Sequence, residues 1–287
     1  MTTYTLSEHY LEGQHGPIRY WASTPRHGLP VVLIHGYGAM IEHWRAVMRP
    51  IAARHSLTAV DLYYFGKSAI PAAPPGRKLW AEQVAELIAT VCDGPAIVVG
   101  HSMGGMVAAQ VAHDFPWLVR GLVLANSTGL NDPQNQPSPL DNAIFGVLRS
   151  SGVGELLAGL VGNQWGAQQG LRSAYYRQER VTPELVEQFT APLRRPGGPQ
   201  AYLAVTRAFP QLFLDFEYGA IKAPTLLLWG EHDRSVPPAL AAYFKRTLIP
   251  QAEIVMLPEV GHCPFDENPE AFAGALLAWI DQLRAEG

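Results

Sequence analysis

Four short runs of almost purely apolar residues constrain this chain more than any other feature. They are Val31-Val32-Leu33-Ile34, Ala96-Ile97-Val98-Val99, Gly121-Leu122-Val123-Leu124-Ala125 and Thr225-Leu226-Leu227-Leu228-Trp229. A strand with one wet face alternates apolar and polar residues, whereas an unbroken apolar run suits a strand buried on both faces, as in a parallel sheet covered by helices. Leu57-Thr58-Ala59-Val60 and Glu253-Ile254-Val255-Met256-Leu257 fit the same role more weakly. Helical stretches lie between the runs. Leu79 to Cys92 places Val84, Leu87, Ile88 and Val91 on one face, and Met103 to His113 follows the Ala96–Val99 run at once. Strands alternating with helices predict an α/β sheet with right-handed crossovers. The first 25 residues, with a turn at His15-Gly16-Pro17, suit an antiparallel hairpin at the sheet edge.

The chain has 287 residues, enough for one large domain or a domain with an insertion. Strand-like runs stop between about 130 and 218, where Gly, Pro, Gln and Arg become common and helical windows such as Pro139 to Leu148 and Pro183 to Phe189 remain. The expected organisation is a core of residues 1–129 and 219–287 with a helical cap of residues 130–218 over the sheet's C-terminal edge.

Composition excludes several classes. Hydrophobic residues at 48% and charged residues at 16% describe a folded chain. Lys plus Arg total 21 against 25 Asp plus Glu, so the basic footprint of a nucleic-acid binder is missing. Cys92 and Cys263 alone make neither a disulfide framework nor a zinc cluster, and His35, His43, His101 and His232 have no metal-site spacing. Neither a metal nor another cofactor is expected. The N-terminus lacks the basic and apolar regions of a secretory signal, and Ala271 to Ile280 is about half the length of a membrane span. A cytoplasmic protein without a membrane span is the expectation; one chain does not tell the oligomeric state.

Chemistry concentrates in three places. Gly100-His101-Ser102-Met103-Gly104-Gly105 follows a buried strand and opens a helix, so Ser102 sits on a tight turn that aims its hydroxyl outward and leaves helix N-terminal amides free. A serine hydroxyl needs a base, and the base needs an orienting acid. Asp233 lies directly past the Thr225–Trp229 run, and His262 lies in a loop past the last strand, so the order is Ser, Asp, His. His35-Gly36-Tyr37-Gly38 follows the first run, and the amides of Tyr37 and Met103 are candidates for an oxyanion hole. One such donor contributes about 3–4 kcal/mol of transition-state stabilisation.

These residues resemble the α/β-hydrolase superfamily, in its cap-bearing branch, over nearly the whole chain. The matching segments are His35 to Gly38, Asp61-Leu62-Tyr63-Tyr64-Phe65-Gly66-Lys67-Ser68, Gly100 to Gly105, Gly230-Glu231-His232-Asp233 and Gly261-His262. The resemblance implies an α/β-hydrolase fold, a mostly parallel sheet flanked by helices with a helical cap. It also implies Ser102 as nucleophile, His262 as base, Asp233 as acid, and Tyr37 with Met103 as oxyanion donors. One departure stands out: Tyr64 occupies a position that is usually Gly in the family. Dehalogenases and epoxide hydrolases of this fold use an Asp nucleophile, which Ser102 argues against. Meta-cleavage C–C hydrolases keep serine but typically read G-N-S-M-G-G, where this chain has His101. Residues 35–45 also look like hydrolases that cleave phytyl esters.

The expected function is a cofactor-independent serine esterase acting on small-molecule esters with apolar portions. A C–C bond hydrolase and a ligand receptor that keeps a hydrolase pocket are the alternatives. Other residues have plainer roles. Cys263 beside His262 is off the elbow and reads as packing, and Arg194-Arg195 reads as a loop pair before a substrate clamp. Gly66-Lys67-Ser68 lacks the rest of a phosphate-binding loop. Phe145, Leu148, Leu156, Leu157, Trp165, Tyr175 and Tyr176 divide between lining a pocket and holding the cap together.

Overall fold

The computed structural model describes residues 4–131 and 163–285. Eight strands form one sheet: β1 Thr5–Gly13, β2 Gly16–Thr24, β3 Pro30–Ile34, β4 Ser56–Val60, β5 Ala96–His101, β6 Val119–Ala125, β7 Thr225–Gly230 and β8 Glu253–Leu257. Their spatial order is β1-β2-β4-β3-β5-β6-β7-β8. Pairing is parallel from β4 through β8, while β2 runs antiparallel to both β1 and β4. The apolar runs occupy the sheet centre, and every residue of β3, β4, β5 and β7 is buried. β8 is the far edge strand, half-exposed, which is why its run mixes in Glu253.

Side chains of the central strands divide by alternation. Val32, Ile34, Val98 and Leu124 enter one apolar layer, with residues of α2 (Arg77–Val91) and α3 (Met103–Asp114). Val31, Leu33, Val99 and Val123 enter the other, with residues of α1 (Arg45–Ala52). The hairpin is present at the edge, but its turn is Gln14-His15, with Gly13 paired to Gly16. The expected turn lay one residue later. Gly16 takes φ +111°, and Pro17 is already paired with Glu12.

Between β6 and β7 the described residues form α4 (Gln164–Ala174), α5 (Pro183–Thr190) and α6 (Gly198–Ala208). Asn163 caps α4 by accepting from Gly166 N at 2.9 Å; α5 starts with Thr182 as cap and Pro183 in the first turn. This segment packs directly on the sheet layers. Leu171, Tyr175 and Leu185 join one layer, and Ala201, Val205 and Leu212 join the other. The window Pro139 to Leu148 and the residues Phe145, Leu148, Leu156 and Leu157 lie outside the described residues. Three further helices follow β7: α7 (Ala239–Thr247), the short α8 (Pro264–Glu267) and α9 (Pro269–Ala285). Among the described residues no helix is long and apolar enough to cross a membrane.

The Asp61 loop shows why its residues are what they are. Asp61 accepts from the amides of Ile41 and Lys67, both at 2.8 Å, and pairs with the fully buried Arg19 at 2.9 Å. A Cβ on Gly66 would lie 2.0 Å from Asp61 Oδ2, so the carboxylate fills the space that a phosphate cradle would need. Tyr64 takes φ 77° in the left-handed region, the backbone shape for which glycine is the ordinary choice.

Candidate active site

Ser102 stands between β5 and α3 at φ 54° and ψ −119°, a combination that L-residues avoid. Glycine backbones hold it there. A Cβ on Gly100 would lie 2.1 Å from Gly104 O, one on Gly104 would lie 2.4 Å from His35 O, and one on Gly105 would lie 2.2 Å from Ser127 Oγ. Strand and helix therefore cross where only hydrogen fits. Ser102 N donates to Ala125 O at 3.0 Å, and Ser102 O accepts from Gly105 N at 3.0 Å and Thr128 N at 3.1 Å. Its hydroxyl does not cap α3 and is left for other use.

Asp233 lies in the turn after β7, with its side chain fully buried. Oδ1 accepts from Ser235 N and Val236 N, both at 2.8 Å, while Oδ2 faces His262 Nδ1 at 2.8 Å. A carboxylate only accepts, so Nδ1 carries the proton and Nε2 carries the lone pair, the form that can take a proton from a hydroxyl. His262 is fixed through its backbone as well. Its amide donates to Ala174 O at 3.0 Å, and its carbonyl accepts from His101 Nε2 at 2.8 Å. The rings of His101 and His262 lie 4.7 Å apart, which brings the imidazole beside the elbow. The structure thus joins Asp233 to His262 directly. Among the described residues Ser102 Oγ and His262 Nε2 are not hydrogen-bonded to each other, a link that in such sites often closes only with substrate bound.

The His35–Gly38 loop meets the elbow closely. A Cβ on Gly36 would lie 3.1 Å from Ser102 Cβ and 3.0 Å from His101 Nδ1. Tyr37 follows directly, and Met103 opens α3, where the first amides have no intrahelical acceptor. The Tyr37 ring turns toward the insertion: it lies 4.7 Å from the Tyr202 ring, and its hydroxyl bonds to Thr206 Oγ1. His35 holds the loop by donating from Nδ1 to Gly36 O at 2.7 Å and accepting at Nε2 from Leu62 N at 3.0 Å. Burial pushes the imidazoles of His35, His43 and His101 below their ordinary pKa and favours the neutral form.

Beside Met103 is a small apolar cavity of about 20 Å³, lined by Met106, Thr128, Gly129, Phe209, Leu212 and Phe213. A groove of about 430 Å³, with Arg77, His113, Asp114, Asp215 and Phe216 among its lining residues, is larger but contains none of Ser102, Asp233 and His262. Size is a poor guide here. Of the aromatic pocket candidates, Trp165 is 71% exposed, Tyr175 is buried with its hydroxyl 2.9 Å from His43 Nε2, and Tyr176 stacks on His232 at 4.1 Å. Arg194 pairs with Glu187, and Arg195 donates to Ser68 O at 2.9 Å, so both have partners other than a substrate carboxylate. Burial pushes the Cys263 thiol far up, as suits a packed side chain.

Two contributors escape a sequence reading. Asn126, at φ 45° past the end of β6, donates from Nδ2 to Asp233 Oδ2 at 2.6 Å and accepts at Oδ1 from Gly230 N at 3.3 Å. The signal available is an Asn directly after an apolar strand, since Asn tolerates left-handed backbone. Glu267 is fully buried in α8 behind the His262 loop, and nothing in its neighbourhood in the chain reveals that.

Comparison with known proteins places this arrangement in context. The family model described as the alpha/beta hydrolase fold matches residues 30–269. The chain is 31% identical over 264 residues to a 2-hydroxy-6-oxo-6-(2'-aminophenyl)hexa-2,4-dienoic acid hydrolase of Metapseudomonas resinovorans, covering 89% of this chain and 85% of the relative. It is 30% identical over 263 residues to a pimeloyl-[acyl-carrier protein] methyl ester esterase of Neisseria meningitidis, covering 88% and 92%. Among solved structures, a 2-hydroxy-6-oxo-6-phenylhexa-2,4-dienoate hydrolase from Rhodococcus sp. superposes with a TM-score of 0.82 at 21% identity, over 98% of this chain and 100% of that one.

Proposed function

The chain belongs to the alpha/beta hydrolase fold family, and from that premise we propose that it is a serine hydrolase of carboxylic esters with apolar portions. Ser102 is the nucleophile, His262 the general base, Asp233 its orienting acid, and the amides of Tyr37 and Met103 the oxyanion donors. His262 Nε2 takes the Ser102 proton as the oxygen attacks the ester carbonyl, and the two amides hold the developing oxyanion. The alcohol leaves with that proton, and water repeats the sequence on the acyl-enzyme. The segment between β6 and β7 acts as a cap whose residues bound the pocket.

The observation that carries this reading is the 2.8 Å contact of His262 Nδ1 with Asp233 Oδ2, made beside a strained serine elbow. Hydrolysis of p-nitrophenyl esters from acetate to palmitate, with wild type beside Ser102→Ala, tests it. Each methylene buried in the pocket adds up to about 0.8 kcal/mol of binding, so a chain-length optimum that vanishes in Ser102→Ala is expected. Equal rates in the two proteins, or none in wild type, would reject it.

A second reading, a C–C bond hydrolase of the meta-cleavage type, draws on the relative from Metapseudomonas resinovorans. His101 stands against it where those elbows typically carry Asn. Loss of absorbance of a 2-hydroxy-6-oxo-dienoate in the presence of enzyme, without ester turnover, would favour it.

A further inference from the structure

The loop carrying His262 is laced to residues 174–177 by contacts separate from the Asp233 bond. The Glu267 carboxylate accepts from four backbone amides: Gly261 N at 3.0 Å, Cys263 N at 3.1 Å, Tyr176 N at 2.8 Å and Arg177 N at 2.9 Å. A buried carboxylate ordinarily needs a cation beside it; here peptide dipoles from two separate segments converge on it instead. Two of these amides flank His262, and the other two lie in the stretch between β6 and β7. Two further bonds reinforce the seam, from His262 N to Ala174 O at 3.0 Å and from the Tyr175 hydroxyl to Asp266 Oδ2 at 2.8 Å. Gly261 permits the close approach, because a Cβ there would lie 2.7 Å from both Ala174 O and Tyr176 N.

The Asp233 bond fixes one ring atom of His262 and leaves the ring free to pivot about it. The backbone has to be held as well, and the amides of Gly261, His262 and Cys263 all end on Glu267 or Ala174. We propose that Glu267 is a positioning residue that aims His262 by tying its loop to Tyr176 and Arg177, so that core and insertion orient the base jointly. This rests on the reading of His262 as the base.

The test compares wild type, Glu267→Gln and Gly261→Ala as full-length proteins on p-nitrophenyl butyrate, with melting curves and residue-resolved amide exchange. Gln presents an NH2 group to N–H donors, and Ala drives the two segments apart. Both variants are expected to lose about 10²-fold in kcat, the scale of a small misplacement at a reacting centre, with KM little changed. The amides of Tyr176, Arg177, Gly261 and Cys263 should lose protection together while those of β5 and β6 keep theirs. Wild-type kcat in Glu267→Gln overturns the proposal, as does a fall in kcat and in KM-based affinity that merely tracks melting temperature. If wild type turns over no ester, the ester-hydrolase reading fails, and the exchange data alone judge the link: joint loss of protection supports it and separate loss overturns it. If neither variant folds, exchange in wild type decides. Opening of the four amides as one unit supports the link, and independent opening overturns it.

Discussion

Asn126 Nδ2 lies 2.6 Å from Asp233 Oδ2, the same oxygen that accepts the hydrogen bond from His262 Nδ1–H. The carboxylate is thus aimed from both sides, with its other oxygen occupied by two amides. A hydrogen bond to a charged group is worth about 1.5–3 kcal/mol. Replacing Asn126 with Ala should therefore lower kcat roughly tenfold to a hundredfold in steady-state ester hydrolysis, with KM near wild type. A variant with undiminished kcat would show that the Ser235 and Val236 amides suffice.

The elbow tolerates no side chain at Gly100, where a Cβ would meet Gly104 O at 2.1 Å. Both groups are backbone in a buried crossing, so Gly100→Ala should cost more than about 4 kcal/mol, read as loss of soluble protein or a collapse in denaturant midpoint. Gly170 supplies the contrast. It lies inside α4 with nothing within 4 Å of its Cβ position, and Gly170→Ala should stabilise by about 0.5–1 kcal/mol.

Tyr64 sets two opposing effects against each other. Its φ of 77° costs about 1–2 kcal/mol for an L-residue, which glycine would recover. The buried ring contributes about 3–5 kcal/mol, judged from aromatic truncations, and its hydroxyl is aimed at the carbonyls of Pro71 and Ala73. Ring packing is the larger, so Tyr64→Gly should destabilise in urea titration even though the family usually places glycine there. Tyr64→Phe should lose only about 1 kcal/mol. A more stable Tyr64→Gly protein would mean that backbone strain outweighs the packing.

Acid should weaken the fold before it reaches the carboxylates. Burial lowers His55 from 6.5 to about 4 and pushes His35, His43 and His101 in the same direction. Below the unfolded value the unfolded chain binds protons that the folded one refuses, so stability is full above about pH 6.5 and falls as pH drops toward 4. Glu8, held at about 2 mainly by its hydrogen bond to Arg19, adds a further loss below about 4.5. Urea midpoints should stay level from pH 7.5 to about 6.5 and decline from there to pH 4.5, and His55→Gln should flatten part of that slope. A midpoint constant from pH 7 to 5 would contradict this.

The sheet was legible because unbroken apolar runs have few other uses, and β3, β5, β6 and β7 lie where those runs are. The hairpin was legible too, but its turn was misplaced by one residue, because Gly16 can serve either as a turn residue or as the first strand position. That Asp233 and His262 meet was legible from motif and chain order, since each lies in the loop after a strand and those strands, β7 and β8, are parallel neighbours. Asn126 and Glu267 were not. Glu267 is distinguished by Tyr176 and Arg177, amides about ninety residues away, and backbone amides leave no mark in a sequence. Arg195 is similar: its partner is the carbonyl of Ser68, so an Arg-Arg pair in a loop gives no sign that one member reaches across to the core.

The contacts between 174–177 and 259–267 also bear on how chains of this kind can be recombined. Ala174, Tyr175, Tyr176 and Arg177 bond to His262, Asp266, Glu267 and Glu259. A chimera that takes the whole stretch between β6 and β7 from another parent separates these partners, and even conservative donors bring a foreign seam to the histidine loop. A swap confined to the stretch between Arg177 and β7 keeps both sides of the seam from one parent. Libraries built that way can vary the exposed positions of α5 and α6 while the histidine loop keeps its own neighbours, provided Leu185, Ala201 and Val205 stay apolar.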